Sequence, residues 1–375
     1  MRACFLRAGL SKANGTSRFV LGNPKAWLGT AYHEVLEKIA EVGLGEEVLD
    51  TVVERLWCPA VSTQQRRASG HPLDARFGAP TTWPGYYIAR ASVALRAQNL
   101  SAGPTPVAAS VPRRAPRVDL GRSFREQEFT AFDGKLIGRP DVIRDGEVVD
   151  YKSGAIFEYD EVAQSDVVKA AYVRQLRIYG FLVKATLGWW PLRGRLLPLA
   201  GAGVEIALDP SDCAREATEA VALLDNYNMK LIVGAWPEAL AAPSPQVCRW
   251  CPYKLICPPF WQAASPDWSG QLDGAAVEGV LTDVPSLIHA GAARAVSLDV
   301  HAGSEARHRA QIAPLNLVAH PSVTSLIAGE RIRMVGLRVR PDGVLVPSQR
   351  TVLFRVDDVP ILSTSQKSKV ADLNP

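Results

Sequence analysis

Apolar residues along this chain follow a helical period first, a strand period next, and short alternating runs last. Residues 1–100 read as mostly helical. The stretch GTAYHEVLEKI at 29–39 spaces its apolar residues as a helix does, with Thr30 as the expected N-cap. Residues 101–117 (SAGPTPVAASVPRRAPR) are rich in Pro, Ala and Ser and read as an exposed connection. From about residue 122 the period becomes that of strands, predicted over Phe124–Phe132, Leu136–Arg144 and Val148–Lys152. A helix follows over Val168–Leu187 and a strand over Arg195–Leu208. A long helix over Ser211–Gly234 starts at Asp209-Pro210-Ser211. This order implies an α/β fold, a mixed sheet flanked by helices.

A linker is expected at 262–270 (QAASPDWSG). Beyond it lie short, Val-rich segments: Ala295–Val300, Leu315–Ala319, Arg331–Val339, Val344–Val346 and Thr351–Val356. Turn residues such as Pro341-Asp342-Gly343 separate them. About five strands in ~100 residues predict a C-terminal all-β domain, an OB-like β-barrel. Arg331, Arg333, Arg338 and Arg340 alternate along one segment, where they would meet phosphate, with Phe354 stacking on a base. The plainer reading is a solvated charged strand face. Residues 362–375 read as a frayed end.

At 375 residues, two domains are expected. The composition, 47% hydrophobic and 21% charged, is that of a globular protein rather than a disordered one. A net charge of +4 suits contact with a polyanion without demanding it. No apolar run approaches the roughly 20 residues that span a bilayer, and the N-terminus has no signal-peptide core, so a cytoplasmic protein without membrane contact is expected. Six cysteines in such a chain read as thiols or metal ligands rather than disulfides.

Two clusters carry chemistry. Gly138-Arg-Pro-Asp141 and Val148-Val-Asp-Tyr-Lys-Ser-Gly154 flank the turn sequence Arg-Asp-Gly-Glu, which reads as a tight hairpin. On a strand, Asp150 and Lys152 share a face, and the hairpin brings Asp141 beside them. Two carboxylates and an amine in one place can hold a divalent metal and activate a water. A simple cross-strand ion pair would also account for them, but the apolar Val148-Val149 run makes bare charges there costly. The second cluster is Cys248-x2-Cys251-x5-Cys257. Three thiols need a fourth ligand, and the remaining cysteines are Cys4, Cys58 and Cys213, the last expected to be structural in the first turn of the long helix. Four thiolates could hold zinc or a cubane iron–sulfur cluster.

Taken together, these residues resemble the PD-(D/E)XK nuclease superfamily. The likeness is to the branch with an iron–sulfur staple that includes the RecB-type, AddB, Dna2-type and Cas4-type nucleases. Residues 29–37 look like that branch's helical histidine motif. Gly138-Arg-Pro-Asp141 looks like its first acidic motif, Asp150-Tyr-Lys152 like its acid-x-lysine motif, and Gln175-x3-Tyr179 like the helix that follows. The resemblance implies a restriction-endonuclease-like nuclease domain at 1–262 and leaves 271–362 as the barrel domain. It implies Mg²⁺ or Mn²⁺ held by His33, Asp141, Asp150 and the Tyr151 carbonyl. Asp141, Asp150, Lys152, Gln175 and Tyr179 would be the catalytic set. It also implies Cys4 as the fourth thiol, with Cys4, Cys248, Cys251 and Cys257 holding a [4Fe-4S] cluster, zinc being the alternative.

The activity implied is metal-dependent hydrolysis of DNA, single-stranded or end-bearing, in repair, recombination or defence. The chain has no phosphate-cradling Gly-x4-Gly-Lys-Ser/Thr, so no ATPase motor is read in it, and by analogy a helicase or another repair or defence protein would be the partner. The competing expectations are a non-catalytic DNA-binding scaffold and a zinc-stapled RNA-processing nuclease.

Overall fold

The computed structural model describes residues 4–42, 49–101, 123–152, 154–198, 202–234, 237–288, 291–305 and 308–359. Most of the connection expected at 101–117, Ser153, and the end at 362–375 lie outside the described residues. The chain runs α1 (Phe5–Lys12), α2 (Pro24–Val42), α3 (Leu49–Ser69) and α4 (Tyr86–Ser101). Then come β1 (Phe124–Arg125), β2 (Phe129–Ala131), β3 (Leu136–Gly138), β4 (Val142–Arg144), β5 (Glu147–Lys152), β6 (Phe157–Asp160) and β7 (Ser165–Val168). These are followed by α5 (Ala170–Leu187), β8 (Arg193–Pro198), β9 (Val204–Ala207) and α6 (Pro210–Ile232). Short helices α7 (Pro237–Leu240), α8 (Pro245–Cys248) and α9 (Pro258–Ala263) precede β10 (Ala275–Leu281), β11 (Ser286–Ile288), β12 (Ala293–Gly303) and β13 (Arg309–Asn316). The last strands are β14 (Arg331–Val339), β15 (Leu345–Val346) and β16 (Val352–Arg355). Two compact units result, each assembled from separate segments. One comprises Asn23–Gly70 and Phe77–Asn226; the other comprises Met1–Gly22, His71–Arg76 and Tyr227–Pro375.

In the first unit, α2, α3 and α4 bury Tyr32, Val35, Trp57, Ala60 and Val93 against one another. Thr30 is not the N-cap of α2: it lies inside the helix, its hydroxyl donating to the Ala26 carbonyl at 3.1 Å. The helix starts about two turns earlier at Pro24, whose fixed φ and missing N–H suit a first position. The Asn23 side chain accepts the Lys25 amide at 3.0 Å.

The sheet order is β1-β4-β5-β8-β9. Only β5 and β8 run parallel; the other neighbours are antiparallel. The β4–β5 turn is Asp145-Gly146, both at positive φ (50° and 76°), as a two-residue hairpin requires. The parallel return from β5 to β8 passes through α5, which buries Leu176, Leu182 and Val183 with Ile143, Val148 and Leu196. Cys213 of α6 sits in that same core, the structural place expected for it.

Three strand expectations change. Phe124–Phe132 and Leu136–Arg144 are each broken in two, the second across Arg139-Pro140, where proline has no amide for a ladder. Arg195–Leu208 is a hairpin, β8–β9, rather than one strand. The ribbon β6–β7 between Lys152 and α5 was not foreseen.

In the second unit, β10–β16 are all antiparallel around Val277, Leu298, Ile312, Ile332, Met334 and Leu337. Their order is β11-β12-β10-β14-β15, with β13 on β12 and β16 on β14. This is a branched open sheet among the described residues, and no pairing closes it into the expected OB-like barrel. Strands β10 and β11 are additions to the expected set. The arginine row is corrected at Arg331 and Arg333. Glu278 is buried between Arg331 and Arg333, and Arg333 reaches the Leu255 carbonyl at 3.2 Å. Phe354 packs edge-on against Phe19 at 4.8 Å, so its ring is already engaged.

Candidate active site

Strand β5 carries the site because it is buried on both faces for its first four residues and opens at its end. Its Val148 belongs to the core under α5, whereas Tyr151 packs against the α2–α3–α4 core. Strand alternation therefore points Asp150 and Lys152 toward α5. Asp150 is 3% exposed, and its Oδ2 lies 2.5 Å from Lys152 Nζ. Lys152 also donates to Gln175 Oε1 at 2.8 Å, and Gln175 Nε2 donates to the Tyr179 hydroxyl at 2.9 Å. The Lys152 ammonium stands 4.7 Å from the centre of the Tyr172 ring. Asp150, Lys152, Gln175 and Tyr179 thus form one polar chain from strand to helix.

Gly138 explains the head of its motif. A Cβ there would meet Leu182 Cδ1 at 2.6 Å and Tyr179 Cε1 at 2.9 Å. Only glycine lets the strand pass this close to the helix that carries Tyr179.

Asp141 lies just before β4, where its Oδ2 accepts the Tyr151 amide at 2.5 Å and sits 3.7 Å from His33 Nδ1. The contact at Tyr151 described here is thus through its amide, while the ligand expected from it was the carbonyl. Glu126 joins this group. Ligand atoms of His33, Glu126 and Asp141 fall within 4.8 Å of one another, an arrangement able to hold a metal ion. Asp150 is beside this group rather than in it, its carboxylate turned to Lys152. Leu36, Glu37, Arg125, Val142 and Tyr151 complete a cleft around His33, Glu126 and Asp141. Sequence reasoning missed Glu126. It falls where the expected strand Phe124–Phe132 breaks, at a φ of +45° between two short strands, and its amide donates to the Asp141 carbonyl at 3.2 Å.

Burial decides the electrostatics. Desolvation, then the charge of Asp150, pushes Asp141 up to about 7; desolvation, then Asp141, pushes Glu126 up to about 7. Asp150 is raised by desolvation against the pull of Lys152. Desolvation lowers His33, so its imidazole is neutral near pH 7 and free to donate a lone pair. Lys152 and Arg139 offset the burial of these carboxylates only in part, and a mixed N/O donor set fits a hard divalent cation such as Mg²⁺ or Mn²⁺.

The cysteines behave as two sets. Cys58 is exposed on α3, with its Sγ 3.1 Å from Glu54 Oε1, and Cys213 is in the core. Cys4, at the N-cap of α1, lines one apolar cavity with Cys248, Cys251 and Cys257. Arg7 and Lys254 are on the same wall. Burial raises the thiols of Cys248, Cys251 and Cys257, the last to about 12. Tight turns arrange them: the Cys251 amide donates to the Cys248 carbonyl at 3.1 Å, and the Cys257 amide to the Lys254 carbonyl at 3.3 Å. Four thiols and two cations around a shared hollow are a donor set suited to a thiophilic metal centre.

No helix of the described residues is long and apolar enough to cross a membrane. Neither a curated protein nor a solved structure matches the chain. The family model of the PD-(D/E)XK nuclease superfamily matches residues 1–258, which include the hairpin acids, the Gln175 helix and the four cysteines of the shared cavity. On that match the chain belongs to the PD-(D/E)XK nuclease superfamily.

Proposed function

We propose that the chain is a metal-dependent deoxyribonuclease acting on single-stranded or end-bearing DNA, in repair, recombination or defence in the cytoplasm. The observation that carries this reading is the juxtaposition of a cation-seeking group, His33, Glu126 and Asp141, with the Asp150–Lys152–Gln175 chain on the neighbouring strand face.

His33, Asp141 and Asp150, with the Tyr151 carbonyl, are the proposed ligands, and Glu126 is added to them. A bound Mg²⁺ or Mn²⁺ supplies Lewis-acid polarisation of the scissile phosphate and a more acidic water. Lys152 then acts at its Nζ: held between Asp150 and Gln175, it orients the attacking water and stabilises charge on the phosphate oxygens. Gln175 keeps the ammonium from swinging away, and Tyr179 holds Gln175 in turn. Arg125, on the cleft wall, offers a fixed positive charge for a phosphate of the strand.

The branch suggested by the motifs also bears on the cysteines. Cys4, Cys248, Cys251 and Cys257 are proposed to hold a [4Fe-4S] cluster, with zinc as the alternative, tying α1 to the α8–α9 segment. A helicase or other repair protein on a separate chain is the proposed partner. The test is cleavage of end-labelled single-stranded DNA with Mn²⁺ or Mg²⁺ by the wild type, Asp150→Asn and Lys152→Met. Metal-dependent cleavage lost in both variants supports the reading. Cleavage unchanged in both would remove the assigned site, and DNA binding without cleavage by the wild type would leave a scaffold.

A further inference from the structure

Among the described tryptophans, Trp250 alone is exposed, at 58%. Trp57, Trp83, Trp261 and Trp268 are buried, and Trp27, Trp189 and Trp190 pack partly into cores. Trp250 stands between Cys248 and Cys251, so its backbone is pinned by their turn, yet its indole belongs to no described core cluster. The Arg249 guanidinium carbon lies 5.3 Å from its ring centre and that of Arg350 lies 5.8 Å away. Both guanidiniums are within cation–π range of the ring, and the indole nevertheless stays 58% exposed, so much of its surface is open to a further ligand.

Arg350 comes from the turn between β15 and β16, distant in sequence, and is 63% exposed while pairing with Asp273 at 2.5 Å. The Asp273 amide and Lys254 Nζ both donate to the Arg249 carbonyl, at 3.4 and 2.9 Å, which fixes the loop bearing the indole. The tertiary fold has therefore brought the exposed guanidinium of Arg350 to an exposed ring that already carries that of its neighbour Arg249. An aromatic face beside two positive charges matches a ligand that is aromatic and anionic at a short repeat, which is a nucleotide strand.

We propose that Trp250 is a stacking platform for one base of single-stranded DNA, with Arg249 and Arg350 on the adjacent phosphates. This rests on the nuclease reading for the identity of the strand but not for its test. The platform is a binding element, and its contact with DNA requires no divalent metal.

The experiment is fluorescence anisotropy of a labelled oligothymidylate with the full chain as purified, without chelator and without added Mg²⁺ or Mn²⁺, where metal-dependent cleavage does not run. Trp250→Ala weakens binding about 5- to 100-fold, the loss of one stacked base. Trp250→Phe keeps a ring and stays within about threefold of wild type. Arg249→Ala combined with Arg350→Ala lowers the slope of log affinity against log salt by about 1.4, two phosphate contacts on a single strand. Should Trp250→Ala fail to fold, two results still decide the matter: this salt slope, and the DNA-induced quenching of tryptophan fluorescence, which Trp250→Phe abolishes in part. Unchanged affinity in a folded Trp250→Ala, or unchanged salt slope in the arginine pair, overturns the proposal and leaves the patch to a protein contact. If Asp150→Asn loses cleavage while Trp250→Ala binds normally, the platform falls and the nuclease stands. If wild type never cleaves yet Trp250→Ala binds weakly, the reverse holds.

Discussion

The Tyr151 amide donates to Asp141 Oδ2 at 2.5 Å, joining the end of β5 to the residue that leads into β4. That hydrogen bond fixes the Asp141 carboxylate before any ligand arrives, and the same oxygen faces His33 at 3.7 Å. A charged acceptor held by a backbone donor is rigid in a way that a solvated side chain is not. Preorganisation of this kind spares reorganisation when charge develops nearby.

Asp141→Asn puts an amide where a cation-binding carboxylate stands. Metal-dependent cleavage is expected to fall at least about a hundredfold, the scale of a lost metal or charge interaction. Glu126→Gln tests the residue that sequence reasoning missed, and weaker Mn²⁺ binding by calorimetry is the expected result. Unchanged Mn²⁺ affinity in Glu126→Gln would remove it from the ligand set.

Metal-free protein should lose stability as pH rises through the range between the ordinary carboxylate values, 3.8 and 4.5, and about 7. The sign follows from the direction of the shift. Asp141 and Glu126 hold protons more tightly in the folded state than in the unfolded one, so stability is full below the unfolded values and lost as they ionise when folded. Because the two share one environment, the loss is on the order of a few kcal/mol for the pair rather than twice a single-site figure. Urea midpoints in EDTA at pH 5 and pH 8 measure it. Asp141→Asn flattens the curve, and Mn²⁺ at pH 8 raises the midpoint by mass action.

Gly138→Ala places a methyl carbon against Leu182 and Tyr179. The Leu182 and Tyr179 side chains must give way, at a cost of about 1–3 kcal/mol. Tyr179 would move away from Gln175, so kcat falls while the KM for DNA changes little. Thermal melting with single-turnover kinetics separates the two effects. Unaltered melting would show that the contact relaxes freely.

The four cavity cysteines should act as a set. Cys251→Ser is expected to remove bound iron or zinc and lower the melting temperature, whereas Cys58→Ser and Cys213→Ser keep full metal content. Anaerobic purification with metal analysis reads this directly, and an absorption band near roughly 400 nm would mark a cubane cluster over zinc. Full metal retention in Cys251→Ser would dissolve the set.

Local pattern alone determined much of this protein. The helical spacing at 29–39, the Asp145-Gly146 turn, the Asp150/Lys152 alternation and the four-residue step from Gln175 to Tyr179 are consequences of chain geometry, so the hairpin and its flanking helices could be read before any coordinates. Tertiary structure decided the rest. Glu126 enters the site from a break in an expected strand, at positive φ, which no spacing rule detects. Glu278 pairs with Arg331 and Arg333 from a strand some fifty residues away, which takes those two arginines out of the expected phosphate-facing row and draws Arg333 inside. The β10–β16 strands could have closed, but among the described residues they form a branched open sheet. Periodicity says which face of an element is apolar; it does not say which other element will cover that face. That choice rests on contacts between residues far apart in the chain, whose closure cost and packing gain are settled only when the whole fold forms.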